Sequence, residues 1–271
     1  MKEEVLLQMV LHERKFMPRL GGRKLLERIH PQLPPELMIG RDSFFDFLTR
    51  HHLLVKQRRT RICTTYSKHW LHKYRNLVKD FVPERPHQLW VSDITYIKTA
   101  EGFMYLSLVT DAYSRKIVGW ALGDTLEASH SIRALKMALK QLPKASQSLY
   151  HHSDRGIQYC SEAYVKLLKK NGINISMTEN GDPLENAVAE RVNGILKDEW
   201  LNDIKIKSNK QLSYELTRII SIYNSMRPHS SVSMFTPERV HSQGLKVERK
   251  WKNYYNKKQG AAKQKIELTL A

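Results

Sequence analysis

Three acidic residues of this chain, Asp93, Asp154 and Glu190, occupy positions from which carboxylates could hold metal ions. Asp93 sits inside the alternating run from Leu89 to Ile97, a strand pattern in which acids are depleted and costly to bury. Asp154 follows a short β-rich run, Ser148 to His152, in the segment His151-His152-Ser153-Asp154-Arg155-Gly156. Glu190 shares a polar stripe with Asn193 and Lys197 at i, i+3 and i+7, while Val188, Val192, Ile195 and Leu196 mark the buried side. Hard divalent cations take oxygen ligands and keep several waters, so a few carboxylates on rigid elements meeting at one point suffice. Two such ions about 3.5–4 Å apart activate an attacking oxygen and stabilise a leaving one at a phosphodiester. Taken without the other two acids, the Glu190 helix reads first as an ordinary amphipathic one with solvated charges.

The elements needed to position these residues follow in a recognisable order. Leu89 to Ile97, Phe103 to Val109 and Lys116 to Leu122 read as three antiparallel strands, the first two joined through Glu101-Gly102. A helix over about 127–141, a strand over 148–152, a helix over 162–170, a strand over 173–177 and a helix over about 185–201 follow. Three antiparallel strands and then α-β-α-β-α is the order of an α/β, RNase H-like fold: a five-stranded mixed sheet flanked by helices. In that topology the strands carrying Asp93 and Asp154 are neighbours. Upstream, apolar Leu25, Leu26, Ile29 and Leu33 mark a helix trimmed by Pro31 to Pro35, and a second runs from about Arg41 to His51. The pair fits a helix-turn-helix or any other small helical domain. The expected organisation is a helical helix-turn-helix domain over 1–55, a basic linker over 56–86, the catalytic core over 87–245 and a basic tail over 246–271.

Charge indicates the partner. The chain of 271 residues carries a formal net charge of +18. Residues 50–80 contribute nine Lys/Arg against one acid and residues 246–267 eight against two, so the two flanks hold 14 of the 18 charges. Two basic flanks suit a polyanion gripped by its phosphates, with affinity that falls steeply with salt. No apolar run approaches the roughly 18 residues of a membrane span, and the charged start Met1-Lys2-Glu3-Glu4 is unlike a secretory leader. Cys63 and Cys160 cannot build a disulfide framework and read as reduced thiols of a cytoplasmic, nucleoid-associated protein. His69 and His72 have His-x-x-His spacing but no Cys pair follows, so zinc is not expected. Asp111, beside Ser114 and Arg115, reads as a turn cap rather than a metal ligand. His151 and His152 could shape the site or pack in the strand, while Asp198 and Glu199 lie beyond the active stripe. No nucleophile-elbow sequence supports a Ser/His/Asp triad, and nothing singles out a tyrosine nucleophile.

Several longer segments carry a resemblance. They are Trp90 to Ile97, Leu108 to Arg115, His152 to Tyr159, Glu185 to Glu190, Tyr223 to His229, and Thr236-Pro237-Glu238, with 35 residues between Asp154 and Glu190. In order and at these spacings they resemble the D-D-35-E signature of retroviral-type integrases and transposases, and above all the OrfB transposases of insertion-sequence family three. Glu185 stands where many relatives have Asp. The resemblance implies that Asp93 serves two metals, with Asp154 holding one and Glu190 the other. The cofactor it implies is two Mg²⁺ ions per site, with Mn²⁺ as a substitute. Lys197, Asn193 and Arg191 on the helix, and Arg58, Arg59 and Arg61 in the basic connector, are the expected DNA contacts.

The implied activity is cleavage at the ends of an insertion sequence and joining of the freed 3′-hydroxyl to target DNA. Neither ATP nor a covalent protein–DNA intermediate is needed. Implied partners are the element's terminal inverted repeats, target DNA, the product of an upstream reading frame and further copies of the chain, with no membrane. Two rivals keep the fold: a domesticated, catalytically silent DNA-binding regulator, and a structure-selective nuclease such as a junction resolvase. The intact acids count against the first. The 35-residue spacing and Arg227-Pro228-His229 count against the second.

Overall fold

The computed structural model describes residues 2–56, 69–143, 148–179 and 183–247. Arg58, Arg59, Arg61, Cys63 and nearly all of the basic tail lie outside the described residues.

The first strand is buried on both faces along 89–92 and half-buried along 93–96, as the central position in a sheet requires. β1 (Leu89–Thr99), β2 (Gly102–Asp111) and β3 (Ile117–Gly123) are antiparallel, and β4 (Tyr150–Ser153) and β5 (Asn174–Met177) extend the sheet in parallel. The strand order is β3-β2-β1-β4-β5, the five-stranded mixed sheet expected. The β1–β2 hairpin turns at Gly102, whose φ of +124° is a conformation that residues with a Cβ rarely adopt.

Helices cover both faces. On one side α4 (Ala128–Leu139), α5 (Ile157–Cys160) and α6 (Glu162–Lys170) bury Leu135, Tyr159, Tyr164 and Leu168 against Trp90, Val109 and Val118. Gly119 lets α4 approach β3 closely, because a Cβ there would lie 2.2 Å from the Ala134 carbonyl oxygen. The other face takes α7 (Ala187–Glu199) and α8 (Asn209–Ser225), with Val192, Ile195, Leu216 and Ile219 packed on Leu106 and Leu108. Asp93 is the direct cross-strand partner of Leu108, so its side chain faces α7. A short α9 (Pro237–Gln243) closes the described chain, capped by the Thr236 hydroxyl.

The N-terminal helices are α1 (Lys2–Phe16), α2 (Gly22–Ile29) and α3 (Arg41–Arg50). The last two match the sequence reading; α1 and α8 were not foreseen. An 11-residue connection with two 3₁₀ turns joins α2 to α3, longer than the usual helix-turn-helix turn of about 3–4 residues. These helices do not stand apart from the sheet, for Leu25, Phe44 and Phe47 share one continuous core with Trp200 and Leu216. The Trp200 indole N–H donates to the Phe16 carbonyl at 2.8 Å, and Arg28 reaches the Met226 carbonyl at 2.8 Å.

Residues 69–86, expected as a basic linker, run as a strap along the β5 edge of the sheet. The Met177 amide donates to the Arg75 carbonyl, and the Leu77 amide to the Ser176 hydroxyl. Leu71 and Tyr74 pack on one core cluster, and Val78 and Phe81 on another. Among the described residues no helix is long and apolar enough to cross a membrane.

Candidate active site

The parallel ladder between β1 and β4 pairs Ser92 with Ser153, so the next residues, Asp93 and Asp154, leave it side by side. β4 ends there while β1 continues to Thr99, which gives β1 an edge without a strand partner from Asp93 onward. Asp154 is fixed in a turn, its Oδ1 accepting from the Gly156 amide at 3.0 Å. Below it, His151 Nε2 lies 2.8 Å from the Ser92 hydroxyl and 2.9 Å from the Tyr164 hydroxyl. Full burial drives His151 down to about 3, so the ring is neutral and Nε2 shares its contacts with the two hydroxyls uncharged. His152 is likewise pushed down to about 4 by burial, with Nδ1 2.8 Å from the Ser176 hydroxyl. Both histidines, left open by the sequence, are therefore packing groups under the acids.

The third acid arrives on α7. Its apolar face buries Ala189, Val192, Ile195 and Leu196 against the sheet, which leaves Glu190 exposed on the first turn. One turn on, Asn193 is buried and its Nδ2 donates to Asp93 Oδ2 at 2.8 Å. Asn193 was expected to face DNA; it is placed under Asp93 instead, because the stripe it shares with Glu190 borders the packed side of the helix. Lys197, a further turn along, lies 4.5 Å over the Tyr96 ring. Arg191 is exposed on the same helix. Asn186, just before α7, ties this element to β1 by donating to the Ser92 carbonyl at 3.0 Å.

The electrostatics are those of crowded anions. Burial first, then the charge of Asp154, pushes Asp93 up to about 7, with a smaller push from Glu190 and partial relief from the Asn193 amide. Burial lowers Lys197 while Asp93 and Asp198 pull it back up. Among the described residues no three His, Cys, Asp or Glu side chains are gathered to grip a single ion. The donors that do meet are carboxylate oxygens, the chemistry of a hard divalent ion rather than of zinc. His69, for its part, donates to the Arg155 carbonyl at 2.7 Å.

Asp111 fulfils the turn-cap expectation. It is fully buried and accepts from the His87, Tyr113 and Ser114 amides and from the Ser114 hydroxyl. Glu199 lies away from the other acids in a bidentate pair with buried Arg227, at 2.7 and 2.6 Å. Beside Asp93 and Asp154 opens a cavity of about 550 Å³ whose walls include Tyr96, Phe103, Tyr105 and Leu126. Sequence reading missed it, although aromatic residues at 96, 103 and 105 flank the hairpin turn.

Two integrase core domain models match the chain, at residues 83–183 and 171–237. The chain is 36% identical over 204 residues to the insertion element IS600 uncharacterized 31 kDa protein of Shigella sonnei, covering 74% of each. It is 34% identical over 200 residues to the transposase InsF for insertion sequence IS3A of Escherichia coli (strain K12), covering 73% of this chain and 69% of that one. The fold is similar to a chain in the cryo-electron-microscopy structure of a simian T-cell lymphotropic virus intasome in complex with the PP2A regulatory subunit B56 gamma. That match has a TM-score of 0.50 at 16% identity and covers 90% of this chain and 79% of the other. With its RNase H-like sheet and paired carboxylates, the chain belongs to the IS3 family of insertion-sequence transposases, polynucleotidyl transferases built on an integrase core.

Proposed function

We propose that Asp93, Asp154 and Glu190 are the metal-holding carboxylates of this transposase, and that the site uses two Mg²⁺ ions, with Mn²⁺ as a substitute. The observation that carries this is the Ser92–Ser153 register, which brings Asp93 and Asp154 together while Asn193 docks the Glu190 helix on Asp93. Shared between two ions, three acids need supply only two to each, in keeping with a donor set that does not close around one point. Bound there, the metal pair supplies an activated oxygen nucleophile and stabilises the leaving oxygen.

The chain's own groups do the rest. Asp154 is held by its turn and Asp93 by Asn193, so neither carboxylate needs to reorganise as DNA arrives. Lys197 and exposed Arg191 hold backbone phosphates beside the acids, and Arg58, Arg59 and Arg61 extend that grip along the basic connector. In cleavage a water oxygen bonds to the phosphorus at the element end and the 3′-oxygen leaves. In joining, that freed 3′-hydroxyl bonds to a target phosphorus and the target's own 3′-oxygen leaves as the alcohol.

The division into 1–55, 56–86, 87–245 and 246–271 belongs to the same proposal, with the first unit reading DNA while docked on the core. Terminal inverted repeats and target DNA as substrates, action as a multimer, and pairing with an upstream-frame product rest on the family resemblance. Purified chain with terminal-repeat DNA and Mg²⁺ gives products joined through 3′ ends if the proposal holds. Binding that needs no metal and yields no cut strand, with the upstream product present, would identify a silent regulator instead.

A further inference from the structure

Large apolar side chains that remain exposed in a folded chain mark contact surfaces when they cluster. Three of those on this protein, Phe103 at 53%, Leu126 at 49% and Ile157 at 44% exposure, rim the cavity that opens beside Asp93 and Asp154. Its inner wall is aromatic: Tyr96 and Tyr105 are direct cross-strand partners on β1 and β2, and the Tyr96 and Phe103 rings meet edge to face at 5.6 Å. A volume of about 550 Å³ falls inside the roughly 300–1,000 Å³ that receives small organic groups. Lys197 Nζ stands 4.5 Å from the centre of the Tyr96 ring, which puts an ammonium for a backbone phosphate next to the aromatic wall.

We propose that this cavity is a base-binding subsite: it takes a single nucleobase unstacked from the duplex next to the reacting phosphate, against Tyr96, Phe103 and Tyr105. A duplex keeps its bases stacked and out of reach, so an apolar aromatic pocket beside backbone chemistry serves an extruded base and not the helix itself. Stacking on aromatic faces tolerates every base, so the subsite selects for unstacking at the cut site more than for sequence. Removing one base from the stack frays the end and gives the carboxylates access to the phosphate beside it. The inference rests on the proposed use of the carboxylates on DNA.

The test pairs protein and DNA changes. Full-length wild type, Phe103→Ala and Tyr105→Ala are titrated with terminal-repeat DNA, intact or carrying one abasic site on either side of the scissile phosphate. The expected result is a loss of roughly tenfold in affinity for each variant on intact DNA. That loss disappears on DNA lacking the one base that fills the cavity, while Tyr105→Phe binds as wild type does. Variant and abasic losses that multiply at both positions, or variants that bind intact DNA as wild type does, overturn the subsite. If wild type cuts the intact DNA in Mg²⁺ alongside such a result, the subsite alone fails; if it neither binds nor cuts, the catalytic reading fails with it.

Discussion

Asn193 Nδ2 lies 2.8 Å from Asp93 Oδ2 and joins the helix of Glu190 to the strand of Asp93. This bond ties α7 directly to an acid of the site, and the other amide atom of Asn193, Oδ1, is buried without a partner among the described residues. Asn193→Ala therefore frees Asp93 to turn away, and joining falls about 10–100-fold, the usual cost of removing a ligand's support. The lost amide no longer lowers Asp93, so the rising limb of the pH–rate profile moves to higher pH. A profile of initial joining rates from pH 6 to 9 checks both. An unshifted profile with a reduced maximum would mean that Asn193 acts only in packing.

Asp93 makes the metal-free protein less stable as it ionises. Its folded value of about 7 stands above the ordinary aspartate value of 3.8, so between those limits the folded state holds a proton that the unfolded chain has lost. Stability from this group is thus present below about pH 4 and is lost as pH rises to 7. Asp93→Asn removes the penalty and stabilises the metal-free protein above pH 7 by roughly 1–3 kcal/mol, after discounting for partial exposure. The two proteins converge near pH 4. Buried neutral histidines act in the opposite sense, because His151 at about 3 and His152 and His241 at about 4 must charge on unfolding in acid. Wild type therefore still loses stability from pH 6.5 downward, and thermal melts from pH 4 to 8 in chelator read both trends.

Arg227 is fully buried and meets Glu199 at 2.6 Å, with Lys24 of α2 at 4.0 Å from the same carboxylate. Replacing one partner leaves a buried charge unpaired, so Arg227→Met costs about 3–5 kcal/mol. Adding Glu199→Leu restores most of it, since the desolvated charge is then gone. Urea unfolding of both single variants and the double variant measures the coupling. Additive losses would mean that the pair is not a unit.

Gly119→Ala tests the packing that carries the sheet. A methyl group there meets the Ala134 carbonyl and the Ala138 amide on α4 at 2.2 and 2.8 Å, both backbone atoms that cannot rotate away. Overpacking of this kind costs about 1–3 kcal/mol or more. The acids lie elsewhere, so joining per folded molecule stays near the wild-type rate while the melting temperature falls.

The sheet and the places of Asp93 and Asp154 were legible because strand alternation is local, and an acid inside a strand is conspicuous. Glu190 was legible mainly from its 35-residue distance to Asp154, since helical spacing alone also fits a solvated stripe. Asn193 was placed on DNA because sequence shows which residues share a stripe but not how far a helix rolls toward the sheet. α8 went unread although Leu212, Leu216, Ile219 and Tyr223 follow helical spacing. Its buried face joins α7 and the sheet in a core shared with the N-terminal helices, which a linear reading had assigned to a separate domain. The strap over 69–86 was hidden for the same reason: its basic side chains look like a linker, while its backbone and apolar residues are tied to the sheet.

The central claim is that three named carboxylates serve the chemistry and not the binding of DNA. Its most direct test is single-turnover joining of precut 3′-hydroxyl ends in Mg²⁺ by Asp93→Asn, Asp154→Asn and Glu190→Gln, with DNA affinity measured on the same preparations. Each variant loses joining by a factor on the order of 10³ or more, the scale of transition-state charge stabilisation. Affinity should stay within a few fold of wild type. Joining at the wild-type rate by any one of the three, or a loss explained wholly by weaker DNA binding, would contradict it.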